Sequence, residues 1–285
     1  MAEIIDGKEL AKKIKLNLKE EVDILKEKKI IPKLAVIMVG DDPASKVYVK
    51  NKSKACKNVG IEFEEYLYDA NINEDELFDI IEKLNNDKSV SGILLQAPIP
   101  KHLNINKAFG AISPKKDVDG FNPLNIGKLA IGEETFISCT PYGIVKMLEE
   151  YKIETEGKHV VILGRSNIVG KPLIQCMLNL NSTVTVCHSK TKNIKEITKT
   201  ADILISAIGK PRFVKEDMVK DGVVVIDVGI NRLEDGSLVG DVDYDNVIKK
   251  ASYITPVPGG VGPMTIAMLL TNVVKATKEQ LLKQF

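Results

Sequence analysis

Two kinds of hydrophobic pattern alternate along the 285-residue chain. Short uninterrupted apolar runs, bounded by Gly, Pro or polar residues, are typical of β-strands that are buried on both faces. Between these runs, apolar residues recur every three or four positions, as they do on the inner face of an amphipathic helix. This alternation predicts βαβ units and a largely parallel sheet.

The first half of the chain contains several such elements. A helix is predicted after Asp6, which together with Glu9 makes an acidic variant of the capping box. Beyond it, the pattern predicts strands over Leu34–Val39, Ile61–Leu67 and Val90–Gln96, and helices over Ala44–Gly60 and Glu74–Leu84. A stretch rich in Pro, Gly and Asp, from Ala97 to Phe121, then interrupts the pattern. It predicts long connections, where functional residues often lie.

The alternation restarts in the second half of the chain. A helix is predicted over Tyr142–Tyr151. The elements predicted after it are strands over Val160–Leu163, Thr183–Cys187, Ile203–Ile208 and Val223–Val228, and helices over Lys171–Leu180 and Ile194–Thr200. We therefore expect an α/β protein with two α/β lobes around a cleft.

Charge and composition exclude several classes of protein. Lys plus Arg is 40 and Asp plus Glu is 39, so the net charge of +1 gives no electrostatic case for a nucleic-acid or membrane-surface partner. No apolar stretch approaches 18 residues, and the N-terminus does not resemble a signal peptide, so we expect a cytoplasmic protein. The four cysteines and three histidines have no ligand-like spacing, and no metal site is predicted.

The predicted helix over Ala44–Gly60 carries five lysines, and one of them is misplaced. Four of these lysines cluster on one solvated face, whereas Lys52 falls on the opposite face with Tyr48 and Cys56. A buried ammonium costs several kcal/mol unless it is paired, so a lysine in such a place is a candidate for acid–base or covalent catalysis. The alternative is a lysine at the rim of the apolar stripe whose ammonium reaches water.

A glycine-containing turn follows the strand predicted over Val160–Leu163. The turn reads Gly-Arg-Ser-Asn-Ile-Val-Gly over residues 164–170 and leads into a helical pattern, which is the arrangement of a pyrophosphate cradle. Ser166 stands where the middle glycine is expected, and Gly170 comes one residue late, so an ordinary strand-to-helix turn remains the alternative.

The end of the next predicted strand bears on the choice of cofactor. An NAD site usually has an acidic residue about 20 residues after the glycine turn, where it binds the ribose 2′-hydroxyl. Residues 187–191 here read Cys-His-Ser-Lys-Thr, with no acid and several donors. Together with Arg165, this favours a 2′-phosphate and predicts a Rossmann-like, NADP-binding second lobe. His188 is either a general base or, as a lone histidine at a strand end, a structural donor.

Six motifs in order along the chain resemble one family. They are Ser45-x-x-Tyr48-x-x-x-Lys52, Gly92-Ile-Leu-Leu-Gln96-x-Pro98-x-Pro100, Pro114-Lys-Lys-Asp-Val-Asp119-Gly120-Phe, Cys139-Thr140-Pro141-x-Gly143, Gly164-Arg-Ser-Asn-Ile-Val-Gly170-x-Pro172 and Pro256-Val-Pro-Gly-Gly-Val-Gly-Pro263. The chain is thereby similar, over essentially its full length, to the bifunctional methylenetetrahydrofolate dehydrogenase/cyclohydrolases.

The resemblance implies an activity and an assembly. The enzyme would oxidise 5,10-methylenetetrahydrofolate with NADP and then hydrolyse the methenyl product to 10-formyltetrahydrofolate, and it would be a homodimer. It also implies a folate-binding catalytic domain over residues 1–139, with a C-terminal helix over 268–285 packing back on it, and a Rossmann-like NADP-binding domain over 140–267.

The resemblance also implies roles for particular residues. Lys52 would be the catalytic lysine, Tyr48 would stack on the folate, Gln96 would hydrogen-bond the lysine, and Asp119 would anchor the pterin. The other residues implied are Ser45, Pro258, Gly259, Gly260 and Pro263 for the folate, and Gly164, Arg165, Ser166, Ser189 and Ile230 for NADP. Ala97 and Ser138 depart from the family's usual Leu and Pro, which affects the expected shape of the cleft.

Without the resemblance, several of these residues have simpler interpretations. Gln96 could be a satisfied amide at a strand end, Asp119 a turn-forming residue, and the Pro258–Pro263 loop a cap for the C-terminal helix. Asp227, on an apolar strand, is interpreted as structural. For the whole chain, the alternatives are a dehydrogenase without hydrolase activity and a folate- and nucleotide-binding protein without turnover.

Overall fold

The computed structural model describes residues 2–282, which divide into two compact units. The six-stranded unit consists of the residues up to Lys12 together with Ser138–Thr265, and the three-stranded unit consists of Lys13–Ile137 together with the residues from Ile266 onward. Each unit has its own parallel sheet and its own hydrophobic core.

The helices of the described residues are distributed over both units. They are α1 (Gly7–Glu27), α2 (Pro43–Val59), α3 (Glu74–Asn86), α4 (Ile105–Ala111), α5 (Pro123–Ala130), α6 (Cys139–Glu150), α7 (Gly170–Asn179), α8 (Ile194–Thr198), α9 (Tyr244–Val247) and α10 (Val261–Leu282). A short 3₁₀ turn covers Glu216–Met218.

The strands are short. They are β1 (Glu3–Ile4), β2 (Lys33–Val39), β3 (Glu62–Tyr68), β4 (Gly92–Leu95), β5 (His159–Leu163), β6 (Thr183–Cys187), β7 (Ile203–Ser206), β8 (Val224–Asp227), β9 (Asn231–Arg232), β10 (Leu238–Val239) and β11 (Tyr253–Ile254). Of these strands, β4, β7 and β8 are fully buried.

The six-stranded unit contains a parallel sheet in the order β1-β11-β8-β7-β5-β6. Its central strands β5, β7 and β8 are apolar except at one end of each, at His159, Ser206 and Asp227, as expected where helices cover both faces of such a sheet. Val161 of β5, Leu204 of β7 and Val225 of β8 are completely buried in its core. In a parallel sheet, the residues that follow the carboxyl ends of neighbouring strands meet at one edge, where ligands bind in open α/β folds.

The three-stranded unit has β2 at the centre of its sheet, between β3 and β4. Every residue of β2 after Lys33 is buried, as are all four residues of β4. Burying a side chain such as Ile37 or Leu95 contributes about 1.5–3 kcal/mol, so these two strands hold much of the core of the unit. The edge strand β3 alternates between half-buried and exposed positions.

The predicted α/β class is confirmed, and each strand and helix predicted from the pattern occurs with small shifts at its ends. The pattern missed short pieces, notably β1, β11 and the β9–β10 hairpin. Because β1 pairs with β11, the first residues of the chain join the six-stranded sheet, whereas they were expected in the domain over residues 1–139. Helices α4 and α5 lie in and just after the stretch where long connections were expected.

The C-terminal helix α10 runs from one unit into the other along the chain. From Ile266 onward it belongs to the three-stranded unit, where Gln280 Nε2 donates to Ser91 O at 2.8 Å. The last three residues of the helix predicted over 268–285 lie outside the described residues. Within residues 2–282, the structure contains no helix with the length and hydrophobicity needed to cross a membrane.

Candidate active site

Helix α2 of the three-stranded unit carries the lysine that the sequence singled out. The Asp42 carboxylate accepts a hydrogen bond from Ser45 N at 2.7 Å, and Pro43 occupies the first turn, where its missing N–H is not needed. The helix ends at Val59, and the φ of 90° at Gly60 lets the N–H of Ile61 turn back to Cys56 O at 3.0 Å. Both ends of the helix are therefore specified locally.

The buried face of α2 contains Lys52. Ser45, Val49, Cys56 and Val59 are buried, and Lys52 lies within this stripe in a half-buried position. The four lysines predicted to face solvent are exposed, namely Lys46, Lys50, Lys54 and Lys57. Lys52 is thus the exception among the helix lysines, although it is less buried than its helical phase suggested.

Tyr48 does not lie on this buried face, so the grouping of Tyr48 with the core-facing residues was wrong. Its side chain is 48% exposed. At 100° per residue, Tyr48 lies about 65° from the middle of the stripe formed by Ser45, Val49, Cys56 and Val59, at its border. An aromatic ring in this position presents apolar surface one helical turn before Lys52.

Gln96 brings a second element to Lys52. It follows β4 directly, is only 8% exposed, and its backbone N–H donates to Ile37 O at 2.8 Å. Its Nε2 donates to Ala97 O at 2.6 Å, which leaves Oε1 free to accept from Lys52 Nζ at 2.8 Å. The contact between Gln96 and Lys52 implied by the family resemblance is therefore present.

The partner that the structure gives the lysine is neutral. An amide oxygen is a neutral acceptor, so it orients Lys52 Nζ through a hydrogen bond and not through an ion pair. Cys56, one turn further along the helix, supplies no counter-charge because burial raises the pKa of its thiol to about 12. Gln96 therefore fixes the position of Lys52 Nζ without placing a charge beside it.

Asp119 lies in a turn that another aspartate holds. The Asp117 carboxylate accepts hydrogen bonds from Phe121 N at 3.1 Å, Asn122 N at 2.7 Å and Asn125 Nδ2 at 2.8 Å. These contacts fold residues 117–122 into a closed turn, with Gly120 at a φ of 74°. Asp119 is half-buried within it.

The turn is also anchored from α10. Asn272 Nδ2 donates to Val118 O at 2.8 Å and to Ile137 O at 3.1 Å. The carbonyl next to Asp119 is therefore bound by a side chain that is far away in sequence. Sequence reasoning missed Asp117 and Asn272; the signal available for Asp117 was a group of polar residues, with Asn122 and Asn125, among apolar neighbours.

The buried carboxyl group of Asp117 should make the stability of the protein depend on pH. Burial raises its pKa from 3.8 to about 6 in the folded protein, against the opposing effect of its hydrogen bonds. Because the folded pKa lies above the unfolded value, its contribution to stability is full below about pH 4 and is lost as the pH rises through 6. The free energy of unfolding should therefore gain about 1 kcal/mol from this group between pH 7 and pH 5.

Urea unfolding of the wild type and of Asp117→Asn at pH 5 and pH 7 measures this contribution. The variant is less stable at both values because an amide cannot accept from all three donors. The expected result is that the difference in unfolding free energy between the two proteins is about 1 kcal/mol larger at pH 5. An equal difference at the two pH values contradicts the raised pKa.

Ser45 differs from the other predicted folate contacts. It is 2% exposed, and its hydroxyl oxygen has no hydrogen-bond partner within residues 2–282. A buried unsatisfied hydroxyl costs about 1–3 kcal/mol. A water or ligand atom that reached Ser45 Oγ would recover this free energy.

In the six-stranded unit, the glycine turn after β5 is closely packed. Gly164 has a φ of 115°, and a Cβ there would lie 2.4 Å from Ala207 O. A Cβ at Gly170, the first residue of α7, would lie 2.6 Å from Gly164 O. Both positions need glycine, because a side chain at either would clash with neighbouring backbone. Without side chains at these positions, the backbone of the turn is open to close approach by a ligand.

Two serine hydroxyls hold the rest of this turn. Ser166 Oγ accepts from Val169 N at 3.2 Å and Gly170 N at 3.3 Å at the start of α7. Ser138 Oγ donates to Ile168 O at 2.7 Å. Ser138, which stands where the family usually has proline, therefore makes a side-chain hydrogen bond to the turn that proline could not make.

Four predicted cofactor residues meet in one pocket of 290 Å³. Gly164, Arg165 and Ser166 line it from the turn after β5, and Ser189 lines it from the segment after β6. The remaining lining residues are Leu163, Cys187, His188, Ile194, Ala207, Ile208, Lys210 and Phe213. Among these described residues none is acidic and two carry positive charge, so the pocket fits an adenosine whose ribose bears a phosphate.

Ile230 lies outside this pocket. A Cβ at Gly262 would lie 3.4 Å from Ile230 Cδ1, so Ile230 contacts the Pro258–Pro263 loop, and its side chain is 49% exposed. Gly259 has a φ of 111°, and Lys8 N donates to its carbonyl oxygen at 2.8 Å. The structure thus separates the predicted cofactor residues into a pocket and a second location beside the loop.

Two sequence models of one family match the chain. The catalytic domain of tetrahydrofolate dehydrogenase/cyclohydrolase matches residues 5–119, and the NAD(P)-binding domain of the same family matches residues 138–281. The first range contains Lys52, Gln96 and Asp119, and the second contains the glycine turn.

Individual relatives match over almost the whole chain. Bifunctional protein FolD of Campylobacter hominis is 56% identical and that of Acetivibrio thermocellus 57% identical, each over 98% of both chains. The crystal structure of FolD from Campylobacter jejuni has a TM-score of 0.97 at 53% identity, covering 98% of this chain and 99% of that one. The Trypanosoma brucei enzyme, solved with NADP cofactor and inhibitor, has a TM-score of 0.94 at 37% identity, covering 98% of both. The chain therefore belongs to the tetrahydrofolate dehydrogenase/cyclohydrolase family.

Proposed function

We propose that this protein oxidises 5,10-methylenetetrahydrofolate with NADP and hydrolyses the resulting methenyl cation to 10-formyltetrahydrofolate. The observation that carries the proposal is the 2.8 Å hydrogen bond from Lys52 Nζ to Gln96 Oε1, in a chain of this family. In the first reaction the cofactor accepts a hydride from the methylene carbon, which needs no acid or base from the protein. The second reaction adds water to the methenyl carbon and releases one proton.

The three-stranded unit would bind the folate and move the protons of the attacking water. Lys52 would take one proton from the water and give it to the ring nitrogen as the ring opens, while Gln96 holds its Nζ in place. The second proton of the water, lost as the added hydroxyl becomes the formyl carbonyl, is the one released. Tyr48 would stack its exposed ring on the folate. Asp119 would anchor the pterin through its carboxylate, from a turn that Asp117 makes rigid.

The six-stranded unit would bind NADP. Arg165, Ser166 and Ser189 would hold the 2′-phosphate in the 290 Å³ pocket, and Gly164 would let the backbone approach the pyrophosphate. Ile230 would lie beside the nicotinamide end, next to the Pro258–Pro263 loop, which would contact the folate. The missing acid among the described pocket residues supports NADP over NAD.

A coupled assay tests both activities together. The purified protein is given methylenetetrahydrofolate and NADP, and NADPH and the methenyl product are followed by their separate absorbances. We expect NADPH to form while the methenyl intermediate stays low because it is hydrolysed. Accumulating methenyl product indicates a dehydrogenase without hydrolase activity, and absence of NADPH indicates a binding protein without turnover.

We also propose a homodimer that acts in the cytoplasm. The homodimer rests on the family resemblance and is tested by light scattering during gel filtration. The compartment is supported by the four cysteines, all of which are buried free thiols within the described residues. Free thiols persist in a reducing compartment.

A further inference from the structure

Two buried carboxylates of the six-stranded unit have no part in the function proposed above. Asp227 ends β8 and is 3% exposed, and Asp241 follows the β9–β10 hairpin and is completely buried. Both lie in an apolar core, where an ionised carboxylate is costly unless several donors surround it. Both carboxylates have such donors.

Asp241 binds a loop from a different part of the chain. Its Oδ2 accepts from Ile208 N at 2.8 Å and Gly209 N at 3.2 Å, and its Oδ1 accepts from Lys210 N at 2.9 Å. Ser206 Oγ adds a donor at 3.2 Å. One side chain therefore satisfies three consecutive backbone amides after β7 and fixes the path of the chain there.

The same loop forms part of the cofactor pocket. Ile208 and Lys210 line the 290 Å³ pocket together with Arg165 and Ser189. Asp241 Oδ1 also accepts from Asn231 Nδ2 at 3.1 Å, and Asn231 is the residue after Ile230. A single carboxylate thus holds segments at both locations where cofactor residues are proposed to lie.

Asp227 holds Asp241 in turn. Its carboxylate accepts from Asp241 N and Val242 N, each at 2.9 Å, and from Gly229 N at 3.0 Å. A Cβ at Gly240 would lie 1.8 Å from Asp227 Oδ2, and one at Gly229 would lie 2.2 Å from Asp241 Oδ1. The two carboxylates are therefore enclosed by backbone that only glycine allows to come so close.

We propose that Asp241, held by Asp227, is a positioning residue for the cofactor site. It touches no proposed ligand; it fixes the backbone of residues 208–210 and the start of β9 before the cofactor arrives. Preorganisation of this kind lowers the ordering cost of binding and so increases affinity. The inference rests on the proposed role of the six-stranded unit in binding NADP.

The test replaces Asp241 with Asn in the full-length protein. Asn has nearly the same size, but its NH₂ group would face an amide donor of the loop. We expect the Kd for NADP, measured by titration calorimetry, to rise about 10–100-fold, because an NH₂ group cannot accept the hydrogen bonds that the replaced oxygen of Asp241 accepts. Hydrolysis of methenyltetrahydrofolate without NADP should keep the wild-type kcat/KM, since Lys52 and Gln96 lie in the other unit.

Asp202→Asn is the matched control. Asp202 is also an aspartate of the six-stranded unit whose carboxylate holds backbone, accepting from His159 N at 2.7 Å and Lys220 Nζ at 2.6 Å. It lies at the start of β7, the end of the strand away from the pocket loop. We expect a lower Tm for this variant with an unchanged Kd for NADP.

Unchanged binding of NADP would overturn the proposal. The first such result is an Asp241→Asn protein that loses thermal stability as the control does but binds NADP like the wild type. If that variant does not fold, Ser206→Ala, which removes one donor to Asp241, should still weaken NADP binding several-fold, and unchanged binding overturns the proposal. A wild-type protein that binds NADP without turnover would contradict the proposed function but not the role of Asp241. The two outcomes can be told apart because the calorimetric comparison of NADP binding does not require catalysis.

Discussion

Lys52→Met is expected to abolish the hydrolysis of methenyltetrahydrofolate while the protein still folds and binds NADP. General acid–base groups contribute about 10²–10⁴-fold to a rate, so the loss of kcat should fall in this range. The variant should fold because methionine has a similar length and Lys52 is only half-buried. Leaving Gln96 Oε1 without its 2.8 Å partner costs about 1–3 kcal/mol. Oxidation of methylenetetrahydrofolate should fall much less, because the hydride transfer uses no protein base.

The matched control for this prediction is Lys54→Met. Lys54 belongs to the same helix but is exposed, and its replacement should change neither activity by more than about twofold. The two hydrolase rates are measured with preformed methenyltetrahydrofolate, and NADP binding is measured separately. Retained hydrolysis in Lys52→Met would disprove the proton-handling role of Lys52.

The elements around Lys52 could be predicted because local rules decide them. The helix has an acidic cap, a proline in its first turn and a glycine at its end, and β4 is an unbroken apolar run that stops at Gln96. Helical phase also separated Lys52 from the other lysines of α2. The hydrogen bond to Gln96 could not be derived from phase, because it joins residues 44 positions apart. That contact was implied by the family resemblance.

What the pattern missed depends on pairing between distant segments. The strand β1 contains two residues and exists because they pair with Tyr253 and Ile254, about 250 residues later. No hydrophobic period can be read from two positions. The exposure of Tyr48 was misjudged because it lies at the border of the stripe, where a small rotation decides which side chains are buried.

The contacts of the buried aspartates at the functional site also could not be predicted from local sequence patterns. Asp119 was identified by its motif, but the residue that holds its turn is Asp117, and its donors come from positions up to eight residues away. Asp227 was correctly placed on an apolar strand and interpreted as structural. Its link through Asp241 to Ile208 and Lys210 required the fold, since Asp241 lies 33 and 31 positions from these two residues.

Arg165→Gln is expected to remove the preference for NADP over NAD. Arg165 lines a pocket in which no described residue is acidic, so its guanidinium is available to pair with a 2′-phosphate. A hydrogen bond to a charged group contributes about 1.5–3 kcal/mol, so the Kd for NADP should rise about 10–100-fold. NAD lacks the phosphate, and its Kd should change by less than about threefold. The affinity for NADP in the wild type should also weaken with salt more than that for NAD, since the added contact is ionic.

Arg232→Gln is the matched control, because it removes an arginine from the same unit without touching the pocket. Arg232 is exposed in the β9–β10 hairpin, where its Nη1 donates to Gly236 O at 3.2 Å. Both cofactors should bind this variant with wild-type affinity in titration calorimetry. If Arg165→Gln weakens NAD and NADP equally, Arg165 contacts the pyrophosphate or supports the glycine turn. The selectivity then comes from other donors that line the pocket, such as Ser166, Ser189 and Lys210.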